Sequence, residues 1–234
     1  MKALKFFLLA LALGVFVACD DTAKTDGGGG DTKETKDTND TKAPAAETFN
    51  IATDGATAMW MGSKAEGAHF GKVGLKGGSV TLADGNLTGG SVSIDLSAIT
   101  VEDAELPDDL KGKLIGHLSS EDFFNVAQFP EVKLTITGSS KYAGGGETAP
   151  EGLPEALTGM FVAAPTHTVN GKLMVKGQEN DISFPAMVAA GEGGIDASAF
   201  ITFDRRAHGL RFMSDTESTV NPDIHFAVSF SASK

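Results

Sequence analysis

The chain has 234 residues, of which 41% are apolar and 7% aromatic, enough for one packed core. Acidic residues outnumber basic ones by 31 to 19, and the net charge of −12 argues against the positive footprint that nucleic-acid binding requires. One Cys excludes an intramolecular disulfide and a thiolate metal cluster.

The first element is a targeting segment. Lys2 and Lys5 precede an apolar run of 13 residues, Phe6–Ala18. That is the length and flank of a secretory h-region and too short to span a bilayer comfortably. The run ends Phe16-Val17-Ala18-Cys19, which resembles a bacterial lipobox, with Phe16 where Leu is usual. The resemblance implies cleavage before Cys19 and acylation of Cys19 as the new amino terminus. The alternative is a plain secretory signal with a coincidental Cys. Loss of Lys2 and Lys5 with residues 1–18 would leave 17 basic and 31 acidic residues, a net charge of −14.

Residues 19–47 read as a tether. Asp20 to Glu47 holds no Leu, Ile, Val, Met or aromatic residue, but a four-Gly run and the repeat DTK-ETK-DTN-DTK over Asp31–Lys42. With nothing apolar to bury, the segment cannot offset its ordering entropy, so a disordered linker is expected. Its root-mean-square reach would be roughly 30 Å.

From Thr48 onward, residues 48–234 read as one β domain. Period-two alternation is clear at Ser91–Ser97, Val132–Thr137, Ile182–Val188 and Ile224–Phe230. Weaker strands are predicted at Thr57–Met61, Phe70–Leu75, Val80–Ala83, Lys172–Lys176 and Ala197–Phe203. Turns are expected at Asp84-Gly85-Asn86 and Gly177–Asp181. About eight or nine strands with one apolar face imply an all-β, antiparallel barrel. Pro185 should mark a seam, an edge or a bulge.

Two short helices are expected at a barrel mouth. Leu110, Leu114 and Leu118 are spaced i, i+4, i+8 behind Pro107, with Asp108 and Asp109 in the electropositive first turn. Ser119-Ser120-Glu121-Asp122 has capping-box spacing and would start a second helix presenting Phe123 and Phe124. Ala143–Met160, rich in Gly, Pro and Glu, reads as a long loop insertion.

Chemistry-bearing motifs are scarce. There is no GxSxG, HExxH, CxxC, EF-hand or Walker A sequence, and the five His show no ligand spacing, so no metal, cofactor or catalytic residue is expected. Arg205-Arg206 reads equally as a contact for an anionic head group or as a solvated pair.

Gly116–Val126 (GHLSSEDFFNV) with Phe129-Pro130 is similar to a signature of the YceI-like family. Met59–Lys64, His69-Phe70-Gly71, Gly89–Ile99, Leu173–Gly177 and Ile182–Ala186 resemble further family segments in the same order. Gln178–Asp181 departs from the usual hairpin turn, and the Ala143–Met160 loop is longer than usual. The resemblance implies a lipocalin-like barrel holding a polyisoprenoid, an isoprenoid quinone or a fatty-acid-like lipid in its lumen. The expected inward residues are Leu134, Ile136, Val175, Phe184 and Phe226, with Trp60, Phe123 and Phe124 nearer one mouth. At about 0.8 kcal/mol per buried CH₂, burial of an apolar chain could supply the affinity without a charged anchor.

The expectation is therefore a non-enzymatic lipid carrier in the bacterial cell envelope, tethered to a membrane through Cys19. A filled barrel acting as an interaction module in envelope stress is the alternative. A lumenal hydrolase or isomerase would require a convergent acid–base pair inside the cavity. One Trp and one Tyr are too few for the aromatic girdles of a membrane-spanning barrel.

Overall fold

The computed structural model describes residues 45–65, 67–211 and 219–234. The leader, Cys19 and nearly all of the tether lie outside the described residues. Among the described residues there are nine strands: β1 (Glu47–Ile51), β2 (Thr57–Lys64), β3 (Gly67–Ala83), β4 (Asn86–Asp95), β5 (Glu131–Lys141), β6 (His167–Val175), β7 (Gln178–Gly191), β8 (Gly194–Asp204) and β9 (Val220–Ser233). Two helices accompany them, α1 (Asp108–Ser119) and α2 (Glu155–Thr158).

All pairings are antiparallel, and eight strands close into a barrel in the order β2-β9-β8-β7-β6-β5-β4-β3. The ninth, β1, shares one wall position with β2. It pairs with β3 over Glu47–Asn50 and touches β9 through Ile51↔Ala232, whereas β2 occupies the other end of the same gap. Composition hid β1, because the sequence around Glu47–Ile51 is short and follows a polar tether.

The two weak strands expected at Phe70–Leu75 and Val80–Ala83 are one 17-residue strand, β3. It bends where the register shifts between Leu75 and Gly77. Gly78 sits at φ 140°, and a Cβ there would overlap the Ser91 carbonyl oxygen, so only glycine brings β3 and β4 this close.

Hairpin chemistry sets the register elsewhere. Asp84-Gly85 (φ 51° and 72°) and Lys176-Gly177 (φ 50° and 74°) both have the positive φ pair of a two-residue primed turn. The expected turn at Gly177–Asp181 is thus corrected. The loop is Lys176-Gly177 alone, and Gln178–Asp181 already belong to β7, with Lys172 Nζ donating to Asp181 Oδ1 at 3.0 Å across the pair.

A second correction concerns Ser119–Phe124. The chain does not start a helix there. It makes a compact turn in which Phe124 N donates to Leu118 O at 3.1 Å and Asn125 N to Ser120 O at 2.8 Å. Asn125 takes φ 51°, outside the right-handed region that a helix running on from Ser119 would need. The Ser91–Ser97 strand stops at Asp95, whose side chain accepts from Ser97 N and begins a 3₁₀ turn over Leu96–Ala98.

The main core fills the barrel interior. A second, smaller core lies on the outside of the wall. Met59, Met61, Phe200 and Ala227 point outward yet are buried, because Leu153, Leu157, Met160 and Phe161 of the Ala143–Met160 insertion and the residue after it pack over them. The long insertion carries the short helix α2 (Glu155–Thr158). It is a strap across the outer face of β2, β8 and β9, held by Glu147 N donating to Ala163 O at 3.1 Å.

Candidate functional site

Alternation along each strand sends every second side chain into the barrel. The result is a slender lumenal cavity of about 50 Å³. Leu134 and Ile136 of β5, Phe184 of β7 and Phe226 of β9 line it, as expected from sequence. So do residues that sequence reasoning did not single out: Val80 of β3, Leu87 of β4, Leu173 of β6 and Ile195, Ala197, Ala199 and Ile201 of β8. The β8 set follows an alternation weakened by small residues, since Ala197 and Ala199 carry little apolar signal. Val175 is fully buried but lines no cavity near the lumen or mouth.

A second cavity of about 220 Å³ lies under α1. Trp60, Phe123 and Phe124 line it together with Leu114 and Leu118, which brings the two-aromatic turn against the helix. Phe123 and Phe124 pack edge to face at 4.9 Å, and His117 lies 5.6 Å from Phe123. Its rim is polar, with Lys64, His69, Asn221 and Asp223.

Trp60 is held by its backbone neighbourhood. Its Nε1 donates to Thr100 O at 2.8 Å, and that carbonyl comes close only because residue 71 is glycine. Phe226, the register partner of Trp60, stacks on Phe203 at 5.6 Å. Trp60 lines only the mouth cavity and Phe226 only the lumen, so this aromatic layer separates the two chambers.

The lumen carries no titratable side chain among the described residues that line it. Its chemistry is to exchange water contact for apolar contact. At the rim, His69 Nδ1 lies 3.1 Å from Asp103 Oδ2. Burial pushes the Asp103 carboxyl up, but hydrogen bonds from His69 and from the Glu105 backbone hold it below the usual carboxylate range. Among the described residues, no three His, Cys, Asp or Glu converge as a metal site.

Arg205 and Arg206 part company. Arg205 is buried, and its guanidinium donates to Leu210 O at 2.9 Å, Val220 O at 3.1 Å and Asn221 O at 3.1 Å. It ties β8 to both flanks of residues 211–219, which corrects the reading of a solvated or head-group-binding pair. Arg206 forms a bidentate contact with Asp204, 2.6 Å at the shorter arm, and this holds the Asp204 carboxyl low.

Comparison with known proteins agrees with the architecture. The model of a family described as the YceI-like domain matches residues 43–232. None of the curated proteins matches the chain. Among solved structures, BcnA of Burkholderia cenocepacia is similar at a TM-score of 0.53 and 12% identity, covering 78% of this chain and 99% of that one. A polyisoprenoid binding domain from Saccharophagus degradans, implicated in plant cell wall breakdown, is similar at 0.51 and 10% identity, covering 79% and 97%. At such identities the likeness is one of fold.

Proposed function

The chain belongs to the YceI-like domain family, and on that premise we propose that its barrel is a lipid carrier whose lumen takes the apolar chain of a polyisoprenoid or isoprenoid quinone. The observation that carries this reading is the lumen itself, lined by aliphatic and aromatic side chains with Ser198 the one polar residue among them and no charge to satisfy. The polyisoprenoid-binding domain with the same fold supports it. A slender isoprenoid chain suits a cavity of about 50 Å³ better than a broad ring system does. Each methylene moved from water into that wall contributes about 0.8 kcal/mol. The lipobox-like sequence at Cys19 supports tethering to a membrane of the bacterial envelope, with the 19–47 segment as the leash.

The small lumenal volume favours one other reading, a filled barrel that serves as an interaction module. In this measure a single water needs about 10–15 Å³, so about 50 Å³ is a narrow space until side chains move. Mass spectrometry of the organic extract of the purified protein separates the two. A stoichiometric isoprenoid is expected, and an extract without lipid would favour the filled barrel.

A further inference from the structure

The ladder between β7 and β8 opens part-way along the barrel wall, as does the one between β4 and β5 beyond Gly90↔Ile136. β7 and β8 are paired from Gly191↔Gly194 to Ala186↔Ala199 and no further. Beyond that point β7 continues for eight residues, Gln178–Pro185, paired with β6 alone. β8 continues to Asp204, paired with β9 alone. Pro185 stands at the fork, where it has no N–H to offer the neighbouring strand. At the far end β7 is tied to the turn that follows β8, where Asn180 Nδ2 donates to Ala207 O at 3.1 Å and His208 Nδ1 to Gln178 O at 3.0 Å. Between the fork and this tie lies an eyelet in the wall.

Each side of the eyelet has a cover. Inside stands Phe184, which lines the lumen. Outside lies the strap, and between strap and wall is a cavity of about 250 Å³ lined by Pro150, Phe161 and Val162 on one side and Ser183, Phe184 and Phe200 on the other. Phe184 thus lines both the lumen and the cavity beneath the strap. The strap is fastened nearby by the edge-to-face pair Phe161–Phe200 at 5.5 Å.

We propose that this eyelet is a lateral portal through which an apolar ligand reaches the lumen, with the cavity under the strap as its vestibule and Phe184 as the plug. The proposal rests on the lipid-carrier reading above and adds the route to it. The cavity under α1 and the lumen share no lining residue, with Trp60 on one side and Phe226 on the other, whereas the lumen and the cavity under the strap share Phe184. Rotation of a single Phe and a shift of the strap open the side, with no strand pairing to break. The vestibule carries one carboxylate, Glu147, which accepts from the Tyr142 hydroxyl, and the hydroxyl residues Thr148, Ser183 and Thr202, so it suits a lipid without an anionic head group.

The single Trp makes the test direct. Decylubiquinone, an uncharged quinone with an apolar tail, is mixed with the full chain in a stopped-flow instrument, and quenching of Trp60 is followed over a range of concentrations. Saturable quenching of the unmodified protein tests the carrier reading, and its absence overturns that reading. The portal is tested by Phe184→Leu, which thins the plug, and Phe161→Ala, which loosens the strap outside the lumen. Phe161→Ala should raise the association and dissociation rates severalfold by the same factor and leave Kd unchanged, because a gate changes a barrier and not an end state. Phe184→Leu should raise both rates. Where quenching saturates but Phe184→Leu leaves the rates at those of the unmodified protein, the portal is overturned while the carrier reading stands. Circular dichroism checks the fold, and Phe184→Leu decides alone if Phe161→Ala does not fold.

Discussion

Trp60 on β2 and Phe226 on β9 are register partners, yet they line different chambers, one the mouth cavity and the other the lumen. They form the division between the two. Phe226 is 1% exposed and stacked on Phe203. Phe226→Ala should join the chambers and cost about 3–5 kcal/mol of stability, the usual loss for deleting a buried aromatic. Denaturant unfolding measures the cost. A loss under about 1 kcal/mol would show that Phe226 does not form that layer.

The inward face can be tested by charge. Leu134 lines the lumen, and Lys133, one residue earlier on β5, is exposed. Leu134→Asp places a carboxylate in apolar space at a cost of several kcal/mol, so it should unfold the domain or abolish lipid loading. Lys133→Asp should stay within about 0.5 kcal/mol of the unmodified protein. Thermal melts and lipid extraction of both variants report the contrast, and equal behaviour would contradict the assigned faces.

Gly71 is a steric requirement of the Trp60 site. A methyl at residue 71 would overlap the Thr100 carbonyl oxygen and stand 2.9 Å from Trp60 Nε1. Gly71→Ala should push Thr100 away, break the indole hydrogen bond and cost about 1–3 kcal/mol, the penalty for stranding a buried polar group. The emission maximum of the single Trp should shift. An unchanged spectrum and melting temperature would show that Thr100 yields freely.

Two buried imidazoles make stability depend on pH. Burial pushes the pKa of His208 and of His225 below the ordinary His range, with nearby Asp204 and Asp223 opposing it in part. The unfolded chain takes up these protons near pH 6.5 and the folded chain only at lower pH. Stability is therefore fully present above about pH 6.5 and declines as pH falls through the depressed folded values. His225 lies against Phe200 at 5.2 Å, with Nδ1 2.9 Å from Thr202 Oγ1. His225→Phe keeps the ring contact and removes the titration, so its melting temperature should fall less steeply between pH 7 and pH 5. An identical slope would remove His225 from the account.

Cys19→Ser tests the anchor. Multiple acyl chains hold a protein firmly, whereas one gives only marginal membrane binding. The variant should keep its fold and move to the soluble fraction. A Ser variant that still pelleted with membranes after a salt wash would contradict acylation at Cys19.

The sequence by itself determined the barrel and most of its inward face. Alternation is local. The pleat sends Leu134 and Ile136 to one side and Thr135 to the other whatever strands lie alongside. Asp84-Gly85 likewise encodes its own turn. Tertiary structure decided what local pattern cannot carry. Met59 and Met61 alternate with Trp60, but both faces of β2 are apolar, so alternation could not say that the outward pair needs a cover; the strap, roughly a hundred residues later, supplies it. Arg205 reads as a surface charge until Leu210, Val220 and Asn221 bring their carbonyls to it. The eyelet depends on where the β7–β8 ladder stops, at Ala186↔Ala199, and in the sequence Pro185 marks only that a ladder must fail somewhere near it. Which strand lies across that failure, and what covers it, follows from closure of the barrel, because closure brings together residues whose own neighbours in the chain carry no record of the meeting.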